Sequence, residues 1–157
     1  MEKSNGEIVK KIVPLIIVTV IFLSMSLAYP KSGVGDKGVD DETQSVRDAA
    51  RKYLDAEVSG DRDTVWGILA PSSVYVKEHS YEEYLAEAKG SPVSVLEYRI
   101  LAVSAISEND NRGTYPFIRS FARVEVELKL YSRDTGTHDI VNIDFTFVKE
   151  GNRWYKG

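Results

Sequence analysis

The chain has 157 residues, with 20 Lys and Arg against 24 Asp and Glu, for a net charge of −4. It has no cysteine, which excludes a disulfide framework, thiolate catalysis and a lipid-modified cysteine after a leader. A mildly acidic chain without a basic cluster also argues against a nucleic-acid partner.

The first feature in chain order is an uncharged run from Ile12 to Pro30, almost wholly aliphatic between Ile12 and Leu23. Nineteen residues of helix at ~1.5 Å each reach roughly 28 Å, close to the ~30 Å hydrocarbon thickness of a bilayer. Lys3, Lys10 and Lys11 precede the run, an arrangement that keeps the N-terminal side in the cytoplasm and sends the rest across. Two readings stay open. One is an uncleaved signal anchor that holds the chain to the cell membrane through residues 12–30. The other is a signal peptide cleaved after Ala28, in Ser26-Leu27-Ala28, with release of a secreted domain. Residues 1–30 are therefore set apart as the leader and 31–44 as a flexible linker. Residues 45–157 form one domain, about 113 residues, enough for a single core.

Gly33-Val-Gly35-Asp-Lys-Gly38 matches the dinucleotide fingerprint G-x-G-x-x-G by letter. That motif works only between a strand and a helix N-terminus, and here an apolar leader precedes it and acidic residues follow. It reads as linker.

A helix is expected from Ser45, whose hydroxyl caps the first turn, with Val46, Ala49, Ala50, Tyr53, Leu54 and Val58 on one apolar face and Gly60 as its stop. Asp61 or Asp63 caps a short second helix through Trp66 and Leu69, ended by Pro71. Ser80-Tyr-Glu-Glu83 is a capping box that opens a third helix, with Tyr84, Leu85 and Ala88 inward. Strands follow. Residues 95–106 form the first, with Leu96, Tyr98, Ile100 and Ala102 on one face, and Asn109–Gly113 is a polar turn. Ala122, Val124, Val126, Leu128 and Leu130 alternate with Arg123, Glu125, Glu127 and Lys129. Val141, Ile143, Phe145 and Phe147 alternate with Asn142, Asp144 and Thr146. For both apolar sets to share a face, Ser132 must lie opposite Thr137, which puts Glu125 opposite Asp144 on the outer face. Arg153-Trp154-Tyr155 is a last short strand. The expected fold is α+β, three short helices packed on a curved antiparallel sheet of about four strands.

On Ala49-Ala-Arg-Lys-Tyr-Leu-Asp-Ala56, Ser59-Gly-Asp61, Val65-Trp-Gly-Ile-Leu-Ala-Pro71 and the Arg153-Trp-Tyr155 ending, the domain resembles the nuclear transport factor 2-like superfamily. That is a cone-shaped α+β fold, shared with ketosteroid isomerase and with secreted or membrane-anchored bacterial and archaeal domains. The resemblance implies a pocket in the mouth of the cone. Because the fold hosts enzymes, binders and scaffolds alike, it does not imply an activity.

Isomerase-type members use a tyrosine with a buried carboxylic acid. Tyr53 suits the first role, but the inward strand positions carry no acid, so an acid has to come from Asp55, Glu57 or Asp61 on the helices. No catalytic residue is assigned. Tyr53, Trp66, Tyr75, Tyr84, Tyr98 and Phe145 are the candidate lining of an apolar ligand pocket. His79 and His138 have no partner at metal-ligand spacing, so neither a metal nor another cofactor is expected. The leading expectation is a non-catalytic domain outside the cytoplasm that binds a small apolar ligand or a partner protein. The alternatives are a scaffold of an envelope secretion or conjugation machine and a small isomerase- or hydrolase-type enzyme. The charged outer strand face disfavours a dry dimer interface, and the sequence leaves the oligomeric state open.

Overall fold

The structure, a computed structural model, describes residues 36–157, with side chains from residue 41 onward. The apolar run 12–30 lies outside these residues. Among the described residues, no helix is long and apolar enough to cross a membrane.

Helix α1 spans Asp36–Ser59 and is 24 residues long. It begins nine residues before the expected start at Ser45, so residues 36–44 of the expected linker are helical. The Ser45 hydroxyl caps nothing; it donates to the Asp41 carbonyl one turn back, at 2.9 Å. A tertiary tie accounts for the extension. Glu42 Oε1 accepts from Lys149 Nζ at 2.6 Å and from Trp154 Nε1 at 3.1 Å, fixing the leading half of the helix to the sheet. The other end follows the sequence signal, with Gly60 at φ +72° just beyond the last turn.

Helices α2 (Arg62–Ile68), α3 (Val74–Glu78) and α4 (Tyr81–Gly90) are short. Asp61 caps α2 by accepting from the Thr64 amide at 3.1 Å. The Ser80–Glu83 capping box closes in both directions at α4, at 3.2 and 2.7 Å. The single turn α3, capped by Ser73, has no counterpart in the expected set.

Strands β1 (Val93–Glu108), β2 (Ile118–Ser132), β3 (Thr137–Glu150) and β4 (Arg153–Lys156) form one antiparallel meander in chain order. Ser132 pairs with Thr137 and Glu125 with Asp144, as the parity argument requires. Arg123 relieves the facing acids from 3.9 Å, and Arg99–Glu127 and Lys129–Glu97 pairs continue this outer ladder at 3.1 and 2.9 Å. The inner face is the core. Ala122, Val124, Val126, Leu128, Leu130, Phe145 and Phe147 are buried against Val46, Ala50, Tyr53 and Leu54 of α1. A second small core lies on the outer face near the β3–β4 turn, where Ala70, Ile118 and Val148 pack with Tyr115, Phe121 and Tyr155.

In β1 the expected face is only half right. Register shifts fall at Val95/Glu97, Ile100/Ala102 and Ser104/Ser107. Each extra residue reverses which parity points inward. The residues packed on the core are consequently Val93, Val95, Tyr98, Ile100, Val103 and Ile106, and neither Leu96 nor Ala102 is among them. The Asn109–Gly113 turn grows into a loop built around Asn109, which is 4% exposed. Its Nδ2 donates to the carbonyls of Tyr115 and Ile118, both at 2.8 Å, and its Oδ1 accepts from the Asn111 amide at 2.9 Å.

Candidate functional site

The C-terminal end of α1, the starts of α2 and α4 and the end of one strand converge on the space between these helices and the inner sheet face. Tyr53 lies on the buried stripe of α1, with its ring edge-on to Phe145 of β3 at 5.8 Å between centroids. One turn further along the helix, Glu57 follows it inward. Glu57 Oε1 accepts from the Tyr53 hydroxyl at 3.0 Å, and Oε2 accepts from Arg62 Nη1 at 2.9 Å. Arg62 arrives there because Gly60 and the Asp61 cap turn the chain straight from α1 into α2.

Lys156 completes the cluster from the sheet side. The last strand runs one residue beyond Tyr155, and its alternation puts Lys156 inward with Trp154. Lys156 is 1% exposed. Its Nζ donates to the main-chain oxygen of Gly157 at 2.6 Å and lies 5.1 Å from the Phe145 ring centroid. Burial pushes its pKa down from 10.5 to about 7, with the Glu57 carboxylate opposing the shift. Burial also drives the Tyr53 hydroxyl well above the usual phenol range, and the field of Glu57 and its hydrogen bond add to the effect.

Tyr84 of α4 closes the group. It is 6% exposed, and its hydroxyl is buried without a hydrogen-bond partner among the described residues. Arg62 lies beside that hydroxyl, and its charge and a hydrogen-bonding interaction with it both act to lower the Tyr84 pKa, although no bond of regular geometry joins the two. Burial first, and Glu57 second, push the Tyr84 pKa up to about 12. The field of Glu57 thus acts on Tyr53, Arg62, Tyr84 and Lys156 alike. Only its pair with Arg62 reaches solvent appreciably, with side chains 18% and 31% exposed.

The six expected pocket residues divide into three places. Trp66, Tyr75 and Tyr84 come together, with Trp66 5.4 Å from Tyr84 and 6.2 Å from Tyr75 between ring centroids. Tyr81, absent from the expected set, joins them 5.9 Å from Trp66. Tyr53 and Phe145 pair nearby. Tyr98 stands apart, with its hydroxyl donating to Asp55 at 2.6 Å in an exposed contact beside α1. Tyr75 stacks on His79 at 4.3 Å and donates to Glu87 at 2.6 Å, while His138 lies against Tyr131 at 5.2 Å. An open groove of about 550 Å³ lies elsewhere, along the solvent side of α1, lined by Asp48, Arg51, Lys52, Asp55, Asp61 and Thr64 among others.

Two charged side chains join the aromatic residues in this interior. Glu57, one of the three helix acids considered, supplies the inward carboxylate. Lys156 was missed because the final strand was ended at Tyr155, although period-2 alternation from Trp154 points to it.

No protein-family model matches the chain, and no curated protein sequence does. Among solved structures it is similar to a ketosteroid isomerase-like protein from Erwinia carotovora atroseptica SCRI1043. The identity is 17% and the TM-score 0.49, with 74% of this chain and 92% of that one covered.

Proposed function

We propose that this chain is a membrane-tethered, non-catalytic binding domain that works outside the cytoplasm and takes a small apolar molecule between its helices and sheet. The uncharged run 12–30 behind three lysines supports the tether and its direction. The observation that carries the binding role is the Tyr84 hydroxyl, buried with no hydrogen-bond partner of regular geometry among the described residues and set against the Trp66–Tyr75–Tyr81 aromatic group. An orphaned buried hydroxyl costs about 1–3 kcal/mol, and a ligand atom that bonds it removes that cost.

The test uses the two tryptophans. The full chain in phosphatidylcholine nanodiscs, labelled with 5-fluorotryptophan, gives one fluorine signal for Trp66 and one for Trp154. Adding neutral aromatic compounds such as phenylacetamide or benzyl alcohol is expected to move the Trp66 signal and leave Trp154 in place. Movement of both together, or of neither, rejects the binding role.

The Tyr53–Glu57 hydrogen bond favours a second reading, an isomerase-type site. Each Glu57 oxygen already accepts a hydrogen bond, however, and burial holds Tyr53 protonated, which argues against proton exchange through that hydroxyl. Turnover of a carbonyl substrate that is lost in Glu57→Gln would restore that reading.

A further inference from the structure

Resting on the membrane tether proposed above, we infer that the end of the domain carrying Phe117 lies against the lipid bilayer, with the Phe117 ring seated just below the headgroups. The first support is where the tether enters. Five residues, 31–35, separate the apolar run from α1, so the gap is at most roughly 20 Å. The helical steps from Asp36 to Glu42 add about 9 Å. Glu42 is fixed to Lys149 and Trp154, so the tether arrives at the end of the sheet where β3 turns into β4.

The second support is what that end presents. Ile118 pairs with Glu150, the neighbour of Lys149, which keeps the Phe117 backbone within roughly 13 Å of the Lys149 backbone. Arg119 Nη1 also donates to the Gly151 carbonyl in the β3–β4 turn, at 3.1 Å. Phe117 is 64% exposed. The Lys77 ammonium of α3 lies 6.0 Å from its ring centroid, and the exposed Val74 is one turn back on the same side of that helix. Ser72, just before α3, donates to Glu150 from its amide and its hydroxyl, at 3.2 and 2.7 Å, so this turn is fastened to the same end of the sheet. An exposed ring is ordinary by itself; one that a short tether holds beside lipid has an occupant at hand. The charges nearby do not select an anionic surface, because Glu42, Glu108, Asp110 and Glu150 offset Arg112, Arg119, Lys149 and Arg153. The contact is therefore apolar. A zwitterionic bilayer suffices, and salt does not release it.

The full chain, labelled with 4-fluorophenylalanine and held in phosphatidylcholine nanodiscs, tests both tether and contact. Phe22 lies within the apolar run, whereas Phe145 and Phe147 are core residues, 3% and 0% exposed. Lipid spin-labelled deep in its acyl chain is expected to broaden the Phe22 signal. Lipid labelled just below the headgroup is expected to broaden Phe117, identified through Phe117→Ser, at least threefold more than Phe145 or Phe147. The same ratio should hold at low salt and at about 0.5 M salt. A Phe117 signal as sharp as those of the core, with Phe22 broadened, overturns the inference and leaves the tether standing. Loss of the Phe117 broadening in salt overturns it too, since ionic attraction would then be the cause. So does a Phe117 signal that ignores the lipid label but moves as copies per disc increase, which gives the patch to a second copy of the chain. A missing or unbroadened Phe22 signal overturns tether and inference together.

Discussion

Lys156 and Phe145 face each other across the seam of β3 and β4, the amine 5.1 Å from the ring centroid and sealed from water. A ring face attracts a cation, but it does not replace the hydration that the ammonium has lost. The consequence for stability has a definite sign. The folded pKa, about 7, lies below the unfolded value, so between pH 7 and about 10.4 the unfolded chain holds a proton that the native chain has released. Stability therefore rises with pH across that window, and the full penalty is present below it. Lys156→Met should raise stability at pH 7 by at least about 1 kcal/mol and flatten the rise. Urea denaturation of both full-length proteins at pH 7 and pH 10 measures this. An unchanged slope means that the amine is not sealed.

Glu42 gives a second expectation. Its Oε1 serves both Lys149 and the indole N–H of Trp154, which is 5% exposed. Glu42→Ala leaves that N–H orphaned and should cost about 1–3 kcal/mol. Amide exchange in the first turns of α1 should quicken, while exchange near Tyr53 stays slow. Uniform acceleration along the helix would mean that the tie is not local.

Asn109 holds the β1–β2 loop by three side-chain bonds to main-chain groups. Asn109→Ala takes one donor from each of the Tyr115 and Ile118 carbonyls, the first of which still accepts from the Ile118 amide at 3.2 Å, with an expected loss of about 1–3 kcal/mol. Asn109→Asp keeps the acceptor and loses both donors, so it should cost nearly as much. Thermal melts of the two variants against the parent decide the point.

Left-handed backbone occurs at Gly136, φ +67°, and at Ala105, φ 53°. Gly136→Ala puts a side chain where the hairpin needs left-handed geometry and should destabilise by about 1 kcal/mol. Ala105→Gly exchanges strain for chain entropy and should change stability by under about 0.5 kcal/mol in either direction. A large loss at Ala105 would mean that its methyl group is packed rather than strained.

What could be read in the sequence follows from the range of the forces involved. The β2–β3 pairing was legible because two long alternating strands allow only one parity. The Asp61 and Ser80 caps were legible because each is satisfied within three residues. The inward phase of β1 was not, since three bulges reverse a pattern that presumes a regular pleat. The start of α1 depends on Glu42 meeting a lysine and a tryptophan more than a hundred residues away, a contact that no local window contains. Trp66, Tyr75 and Tyr84 were identified by residue type alone. Lys156 was passed over because a lysine near a strand end reads as solvated unless the alternation is carried one step further.

Glu42 and Glu57 sit on one unbroken helix, fifteen positions and roughly 22 Å apart. The first is bolted to the sheet and the second governs the charged interior, so α1 behaves as a stiff axle between them. A twist or pull on its leading end is resisted by the Lys149 and Trp154 bolts before it can reorient Glu57. Severing those bolts would let mechanical load from upstream reach the heart of the domain.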